Sequence, residues 1–310
     1  MTAPFRGHVV ALVGATASGK TAAALEVARR LPVEVVSADS RQVRAEMRIG
    51  TAAPVDDELA AVPHHLVGIV TPDAPWSLAE FLARARAALK EVWNRGRLPL
   101  IVGGTGQYVW ALLEGWQPPA VSPDPVLRAR LEEEAARSGP APLIEELRDL
   151  NPAALARVDQ RNPRRLIRAI EVARASAVGA GHVAAAQPPD FTSAVVGLRW
   201  DRERLHARAD ARVEAMYAAG LLEETRALLD RYPPDLPAFQ SIGYAEAARV
   251  LRGEWDLVTA IERTRIETHR LIRMQATWFR VDDPRIRWVD GEHVADLVRA
   301  VEEASASRVG

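Results

Sequence analysis

One short glycine-rich segment has the residue types and spacing of a phosphate-binding loop. It lies between an apolar run and a helical pattern and matches G-x-x-x-x-G-K-[ST] with Gly14, Ala15, Thr16, Ala17, Ser18, Gly19, Lys20 and Thr21. The glycines let backbone N–H groups turn toward phosphate oxygens, and the first turn of the following helix adds partial positive charge. Lys20 would neutralise the terminal phosphate, and the Thr21 hydroxyl could ligate Mg²⁺. The segment therefore predicts binding of a diphosphate or triphosphate and does not specify ATP.

An acid at the end of a predicted strand is the second candidate for chemistry. Proteins that hydrolyse nucleotides at such a loop usually carry an Asp at a strand end to help hold Mg²⁺, whereas the predicted strand at 98–102 ends in GGTG, residues 103–106. Asp39 directly follows the predicted strand at 33–38, and ligands of α/β proteins bind at the carboxyl edge of the sheet. Asp39 is therefore predicted to lie near Mg²⁺ or to act as a general base, with a helix or turn cap as the alternative.

Alternating strand and helix patterns would position these residues. Short apolar runs typical of buried parallel strands occupy residues 8–13, 33–38 and 98–102. Helical patterns occupy residues 21–31 and 78–96, and another begins near Gln107. A polar stretch without a predicted element runs from Asp39 to about Pro75. The alternation is typical of βαβ units, so we predict an α/β fold with a parallel sheet of the P-loop NTPase type.

Proline-rich segments indicate an insertion in this core. Residues 117–125 contain four prolines, and from there to about residue 179 only helical patterns occur. A Gly- and Pro-containing segment at 179–190 precedes an apolar run at 194–198, which predicts a strand that returns to the sheet. Helical patterns dominate after that run, at about residues 201–218, 221–231, 244–251 and 256–279. The predicted organisation is a core in two parts, residues 1–117 and 189–310, around a helical insertion, residues 118–188.

Composition excludes several classes of function. The chain has 310 residues, 48% of them hydrophobic, and a formal net charge of -1, which fits a globular protein and excludes a globally basic nucleic-acid-binding chain. It has no cysteine, so disulfides, Cys-ligated zinc, iron–sulfur clusters and thiol nucleophiles are excluded. No apolar stretch is long enough for a membrane span and the N-terminus has no signal-peptide pattern, so we expect a cytoplasmic protein without membrane contact.

Seven further segments form an ordered pattern with the glycine-rich loop. They are SADSRQV at 37–43, IGTA at 49–52, PHHL at 63–66, VGGTG at 102–106, RRLIRAIE at 164–171, SIGY at 241–244 and QATWF at 275–279. Together they resemble the tRNA dimethylallyltransferase family over almost the whole chain. Eukaryotic members carry a C-terminal zinc finger, which a chain without cysteine lacks, so the resemblance is to the bacterial type.

The resemblance implies an activity and roles for the residues above. Members of the family transfer a dimethylallyl group from dimethylallyl diphosphate to N6 of the adenosine just 3′ of the anticodon. The Thr21 hydroxyl of the phosphate loop predicts Mg²⁺ as the cofactor. Asp39 would take the proton of the N6 amine, and Lys20 with the loop amides would stabilise the leaving diphosphate. Thr105 would bond the bridging oxygen or the nucleotide, or else cap the following helix. We expect a monomer whose partner is the tRNA anticodon stem-loop.

Two arginines are candidates for a further contact with the diphosphate. Arg208 and Arg212 are four residues apart in a predicted helix at 201–218 and therefore share a face. The resemblance implies that this helix sends an arginine to the diphosphate, and we favour Arg212. The alternative is a solvated arginine, or one that pairs with Asp210 or Glu214.

The near-neutral chain still carries two local excesses of positive charge. Residues 157–174 contain six arginines and two acids, and residues 263–287 contain seven arginines and three acids. Either stretch could follow RNA phosphates or be a solvated face. A flipped adenine is expected at Asp39, with Gln42 reading its edge. The residues that the resemblance places at the tRNA are Asp39, Ser40, Arg41, Gln42, Thr105, Arg128, Gln160, Arg161, Asn162, Pro163, Arg164, Phe239, Gln240, Ser241, Ile242, Gly243 and Tyr244.

Two other functions compete with this interpretation. A small-molecule kinase that uses ATP can also have a phosphate loop, an Asp after the second strand and a glycine-rich third strand, but it does not need the arginine-rich insertion. A non-catalytic RNA-binding protein with a relict loop is the other alternative, and the intact Lys20, Thr21 and Asp39 argue against it. The three functions require different ligands, namely dimethylallyl diphosphate, ATP or RNA alone.

Overall fold

The computed structural model describes residues 7–119, 121–177 and 186–306. The chain forms two compact units, of which the first comprises residues 1–115 and 188–310 and the second comprises residues 116–187. The second unit is helical throughout the elements described in it. Its helices are α5 (Pro125–Ser138), α6 (Ala141–Leu150), α7 (Pro152–Leu155) and α8 (Pro163–Ala177).

The first unit contains a parallel sheet and the remaining helices. Its N-terminal elements are β1 (His8–Gly14), α1 (Lys20–Ala28), β2 (Val33–Ser37), α2 (Asp56–Ala61), β3 (His64–His65), α3 (Leu78–Asn94), β4 (Leu98–Gly103) and α4 (Gly106–Leu113). Its C-terminal elements are β5 (Thr192–Arg199), α9 (Arg202–Ala218), α10 (Leu221–Leu229), a 3₁₀ helix (Pro237–Gln240), α11 (Tyr244–Leu251), α12 (Leu257–Trp278), β6 (Ile286–Asp290) and α13 (Val294–Ala306).

The sheet brings three strand ends of chemical interest to one edge. Its strand order is β3-β2-β4-β1-β5-β6, and every pairing is parallel. Because β2, β4 and β1 are neighbours, the segments that follow Ser37, Gly103 and Gly14 emerge side by side at the carboxyl edge. This confirms the predicted α/β fold with a parallel sheet.

Apolar strand residues and two flanking helices form the main core described for this sheet. Alternate residues of β1, Val10 and Leu12, are fully buried in a cluster with Val27 of α1 and Leu297 of α13. The intervening residues of β1 are also fully buried, as expected for a strand covered on both faces. The rigid base of the phosphate loop is therefore a strand packed on both sides.

Two strands and two helices lie where the sequence predicted none. The predicted polar stretch contains α2 and the two-residue strand β3, where Nε2 of His65 donates a hydrogen bond to the buried carboxylate of Glu34 at 2.7 Å. The strand β6 and the helix α13 follow the last predicted helix. In the described parts of the chain, no helix is long and apolar enough to cross a membrane.

Candidate active site

The phosphate loop curls between β1 and α1 through backbone conformations that side chains rarely adopt. Ala17 and Gly19 have φ angles of 62° and 91°, and a Cβ added at Gly14 would lie only 3.0 Å from the backbone oxygen of Leu198. Gly19 is the N-cap of α1, and no side chain caps this helix. The positive end of α1 therefore faces the loop interior.

Lys20 lies inside this loop next to two other charged groups. Its Nζ donates hydrogen bonds to the backbone oxygens of Gly14 at 3.1 Å and Ala15 at 2.8 Å. Burial and the nearby charge of Arg212 lower the pKa of Lys20 to about 8, while the carboxylate of Asp39 opposes the shift. Lys20, Arg212 and Asp39 thus form one electrostatically coupled group.

Ser18 provides a further sign that the loop is built for an anion. The residue is 2% exposed, and its hydroxyl has no hydrogen-bond partner within the described residues. A buried hydroxyl without a partner is costly, and such a group in a folded protein calls for an explanation. A phosphate oxygen in the loop could accept a hydrogen bond from the Ser18 hydroxyl, which fits the predicted role of the segment.

Two predicted phosphate ligands have their backbone amides engaged by other groups of the protein. The N–H of Thr16 donates to Oε1 of Gln275 at 2.8 Å, and the N–H of Ser18 donates to the oxygen of Ala15 at 3.3 Å. No pattern in the sequence predicted that Gln275 contacts this loop. Its only signal was membership of the segment 275–279, because the contact joins residues 259 positions apart.

Asp39 caps a turn with one carboxylate oxygen. Its Oδ1 accepts hydrogen bonds from the N–H groups of Arg41 at 2.8 Å and Gln42 at 3.2 Å. The side chain is half-buried, and its charge acts on both Lys20 and Arg212. The cap predicted as an alternative role is therefore present, and it involves Oδ1 and not Oδ2.

Thr105 connects the end of β4 with the Asp39 turn. Its Oγ1 accepts a hydrogen bond from the N–H of Ser40 at 3.1 Å. Thr105 is the N-cap residue of α4, but its side chain makes no capping bond. The hydroxyl therefore holds the turn that contains Asp39, and the predicted side-chain cap is absent.

The contacts of the Gln42 side chain differ from the expectation that its amide reads an adenine edge. Its Nε2 donates to the oxygen of Ala52 at 2.9 Å, and its Oε1 accepts from the Ser37 hydroxyl at 3.4 Å. Both ends of the amide are thus directed at the protein. In the same turn, Ser40 is half-buried and Arg41 is exposed.

The two arginines of α9 have different surroundings. The Nε of Arg208 donates to the oxygen of Ala17 at 3.0 Å, and its guanidinium lies 4.2 Å from the ring centre of Trp200. Arg212 donates to the oxygen of Thr51 at 3.5 Å, and burial lowers its pKa while Asp39 opposes the shift. Arg208 therefore supports the loop from outside, and Arg212 is the arginine coupled to Lys20 and Asp39.

The turn at 239–244 is mostly internal. Phe239, Ser241 and Tyr244 are at most 4% exposed, whereas Gln240 is exposed. Burial raises the pKa of Tyr244, whose hydroxyl donates to Glu224 at 2.5 Å and accepts from the N–H of Gly50 at 3.1 Å. Of the predicted tRNA-binding residues in this turn, only Gln240 has a fully exposed side chain; Ile242 is half-buried and Gly243 is buried.

Arg128 of the second unit has a structural partner. Its guanidinium donates two hydrogen bonds, at 2.6 and 2.9 Å, to the carboxylate of Glu171, which is 3% exposed. Burial opposes ionisation of Glu171, but these bonds, the N–H of Asp124 and Arg168 together lower its pKa. Arg128 therefore links α5 to α8, whereas the sequence predicted a contact with tRNA for it.

The segment that leads into α8 is an exposed basic part of the second unit. Gln160, Arg161 and Arg164 are exposed. Asn162 accepts the N–H of Arg165 at 3.3 Å and Pro163 is the first residue of α8, so these two residues start the helix. In the residues that the structure describes, neither Arg161 nor Arg164 has an ion-pair partner.

Known proteins resemble this chain over most of its length. Family models described as IPP transferase and isopentenyl transferase match residues 42–282 and 7–65. A tRNA dimethylallyltransferase of Chloroflexus aurantiacus is 50% identical over 88% of this chain and 93% of its own length, and that of Dehalococcoides mccartyi is 41% identical over 93% and 89%.

Solved structures give the same result. The tRNA isopentenylpyrophosphate transferase of Bacillus halodurans is 32% identical, with a TM-score of 0.71 and coverage of 97% of both chains. A eukaryotic dimethylallyltransferase is 21% identical with a TM-score of 0.74 over 92% of this chain, which shows the shared fold. With a family model that matches more than half of the chain and relatives this similar, the protein belongs to the tRNA dimethylallyltransferase family.

Proposed function

We propose that this protein transfers a dimethylallyl group from dimethylallyl diphosphate to N6 of the adenosine on the 3′ side of the anticodon in tRNA. Membership of the family supports the reaction. The observation that carries the proposal is the coupled group of Lys20, Arg212 and Asp39. Two cations at a phosphate loop suit a diphosphate leaving group, and an adjacent carboxylate suits a proton acceptor.

The transfer requires one bond to form, one to break and one proton to leave. The N6 nitrogen attacks the allylic carbon while the bond from that carbon to the bridging diphosphate oxygen breaks. The adenine amine is a weak nucleophile because its lone pair is delocalised, so a carboxylate that removes the proton accelerates the attack. Oδ2 of Asp39 takes this proton, since Oδ1 is held by two backbone N–H groups.

The departing diphosphate gains negative charge in the transition state. Lys20, Arg212 and the helix N-terminus of α1 stabilise that charge, and groups fixed in advance do so most effectively. Thr105, which is bonded to the N–H of Ser40, keeps Asp39 beside the allylic carbon. A loop that usually holds nucleotide phosphates would here hold a leaving group.

Mg²⁺ fits the same loop through Thr21. The Thr21 hydroxyl lies at the start of α1, and Mg²⁺ commonly uses one or two protein oxygens together with phosphate oxygens and water. The described residues contain no cluster of three His, Asp or Glu side chains that could hold a metal alone, so a diphosphate-dependent ion is the form we propose. When bound, the ion would neutralise part of the charge on the leaving group.

The anticodon stem-loop is the proposed RNA partner. The side chains of Gln160, Arg161, Arg164 and Arg41 are exposed, and we propose that they contact phosphates or bases. The kinase alternative is not supported, because the family models and the relatives named above are isopentenyl or dimethylallyl transferases.

The test is an assay of purified protein with Mg²⁺, dimethylallyl diphosphate and tRNA from a strain that lacks the modification, followed by mass spectrometry of the nucleosides. We expect one dimethylallyl group per modified adenosine. Asp39→Asn should keep the turn, because its amide oxygen can accept the same N–H groups, and should slow transfer about 10²- to 10⁴-fold. Asp73→Asn, at an exposed position, is the matched control.

The outcomes separate the reaction from the mechanism. If the Asp39→Asn protein transfers the group at the full rate, the proposed reaction is supported but Asp39 is not the base. Failure of the unaltered protein to modify any tRNA, together with ATP turnover on a small substrate, would overturn the function in favour of a kinase.

A further inference from the structure

One buried amide side chain spans the two loops of the candidate site. Oε1 of Gln275 accepts the N–H of Thr16 at 2.8 Å, and Nε2 of Gln275 donates to the oxygen of Gly104 at 3.0 Å. The residue is 9% exposed. Both ends of the amide are therefore bonded to backbone, one in the phosphate loop and one in the loop after β4.

The loop after β4 is shaped to receive α12, which carries Gln275. A Cβ added at Gly104 would lie 2.3 Å from Nε2 of Gln275, and one added at Gly106 would lie 2.2 Å from Cβ of Trp278. Trp110 of α4 also donates its indole N–H to the oxygen of Trp278 at 3.0 Å. Because these two positions are glycine, α12 can pack closely against the loop, and the bond from Trp110 holds it there.

The bonded path continues from Gly104 to the candidate base. Thr105 follows Gly104 and accepts the N–H of Ser40 at 3.1 Å, and Ser40 follows Asp39 in the chain. Gln275 therefore joins the half of the site that holds the diphosphate to the half that holds the proton acceptor. Its two bonds occupy the N–H of Thr16 and the oxygen of Gly104, both of which are backbone groups.

We propose that Gln275 is a positioning residue that sets the distance between the phosphate loop and the Asp39 turn, and with it the approach of N6 to the allylic carbon. The inference rests on the proposed function. Displacement of reacting groups by about 1 Å can cost about 10²-fold in rate. A side chain that ties the two halves together therefore acts on the chemical step more than on the binding of either substrate.

An amide is the group that this position requires. It offers one acceptor and one donor at the same end of the side chain, which match the N–H of Thr16 and the oxygen of Gly104. Glutamate of the same size keeps the acceptor and loses the donor. Methionine keeps the approximate length and loses both.

The test compares Gln275→Met with Thr268→Val. Thr268 lies on the same helix, is also 9% exposed, and bonds only to the oxygen of Thr264 one turn earlier. Single-turnover transfer at saturating tRNA and dimethylallyl diphosphate should slow about 10²-fold in Gln275→Met. The Kd for dimethylallyl diphosphate should change less than about threefold, and Thr268→Val should leave both quantities near those of the unaltered protein.

A double-mutant cycle with Asp39→Asn distinguishes positioning from a general loss of structure. If Gln275 acts by placing Asp39, Gln275→Met should slow the Asp39→Asn protein far less than it slows the unaltered one. Equal factors in both backgrounds, or an unchanged single-turnover rate, would overturn the proposal. If the unaltered protein modifies no tRNA, the proposed function itself is wrong. This result differs from one in which the unaltered protein is active and only the role of Gln275 is wrong.

A second variant covers the case in which Gln275→Met does not fold. Gln275→Glu keeps the bond from Thr16 and loses the one to Gly104. We expect transfer to slow about tenfold, with the same lack of additivity with Asp39→Asn. A rate equal to that of the unaltered protein would show that the link to Gly104 has no part in positioning.

Discussion

At the scale of single residues, the lowered pKa of Lys20 has a consequence for catalysis. A free lysine titrates near pH 10.4, whereas burial and Arg212 bring the pKa of Lys20 to about 8, against the opposing effect of Asp39. A lowered lysine pKa means that the positive charge is present below about pH 8 and is lost as the pH rises above it. A diphosphate bound next to Lys20 would raise its pKa again, because an opposite charge favours the charged form.

We therefore predict that kcat/KM for dimethylallyl diphosphate falls as the pH rises through about 8. kcat should begin to fall only at higher pH, because kcat/KM reports the free enzyme and kcat reports the complex. The measurement is the rate of tRNA modification across this pH range. Lys20→Arg is the control, since an arginine keeps its charge throughout. If diphosphate binding to Lys20→Arg, followed by calorimetry, still weakened near the same pH, another group would be responsible.

At the scale of elements, local patterns predicted the strand, loop and helix around Lys20, because glycine spacing and apolar runs specify them directly. The bond between Ser40 and Thr105 joins segments that follow β2 and β4, which are neighbouring strands and end at one edge of the sheet. The two-residue strand β3 is too short for a pattern to detect. The contact from Gln275 to Thr16 depends on how α12 packs in three dimensions, and no spacing along the chain encodes it.

Packing between β4 and the segment after β2 gives a prediction at this scale. A Cβ at Gly103 would lie 2.2 Å from the backbone oxygen of Ala38, next to Asp39. Because backbone must move, Gly103→Ala should lower the free energy of unfolding by about 3 kcal/mol and should also slow transfer by displacing Asp39. Denaturant unfolding and the tRNA assay measure the two effects.

Gly96→Ala is the matched control for this change. Gly96 has a φ of 70° and nothing within 4 Å of an added Cβ, so only backbone strain of about 1 kcal/mol is expected, with transfer unchanged. Equal losses of stability in the two variants would contradict the steric explanation.

At the scale of the whole molecule, the sequence showed where positive charge is concentrated but not which arginines are available. In the stretch 157–174, Arg168 donates to the buried Glu171 at 3.1 Å and to the oxygen of Val121 at 3.0 Å. Arg164 is exposed and has no ion-pair partner among the described residues. The same charge run therefore contains one arginine committed to the fold of the second unit and one free to meet a phosphate.

These two arginines should respond differently to substitution. Arg164→Ala should weaken tRNA binding and reduce the slope of log Kd against log salt concentration by about 1, because one phosphate contact releases about one counterion. The thermal stability of the Arg164→Ala protein should not change.

Arg168→Ala should instead destabilise the second unit by about 2 kcal/mol, since a charged hydrogen bond to a buried carboxylate is lost. This loss would be seen as faster amide hydrogen exchange in α5 and α8. A reduced salt slope in Arg168→Ala with unchanged exchange would mean that the RNA reaches Arg168, and that the ion pair with Glu171 opens when tRNA binds.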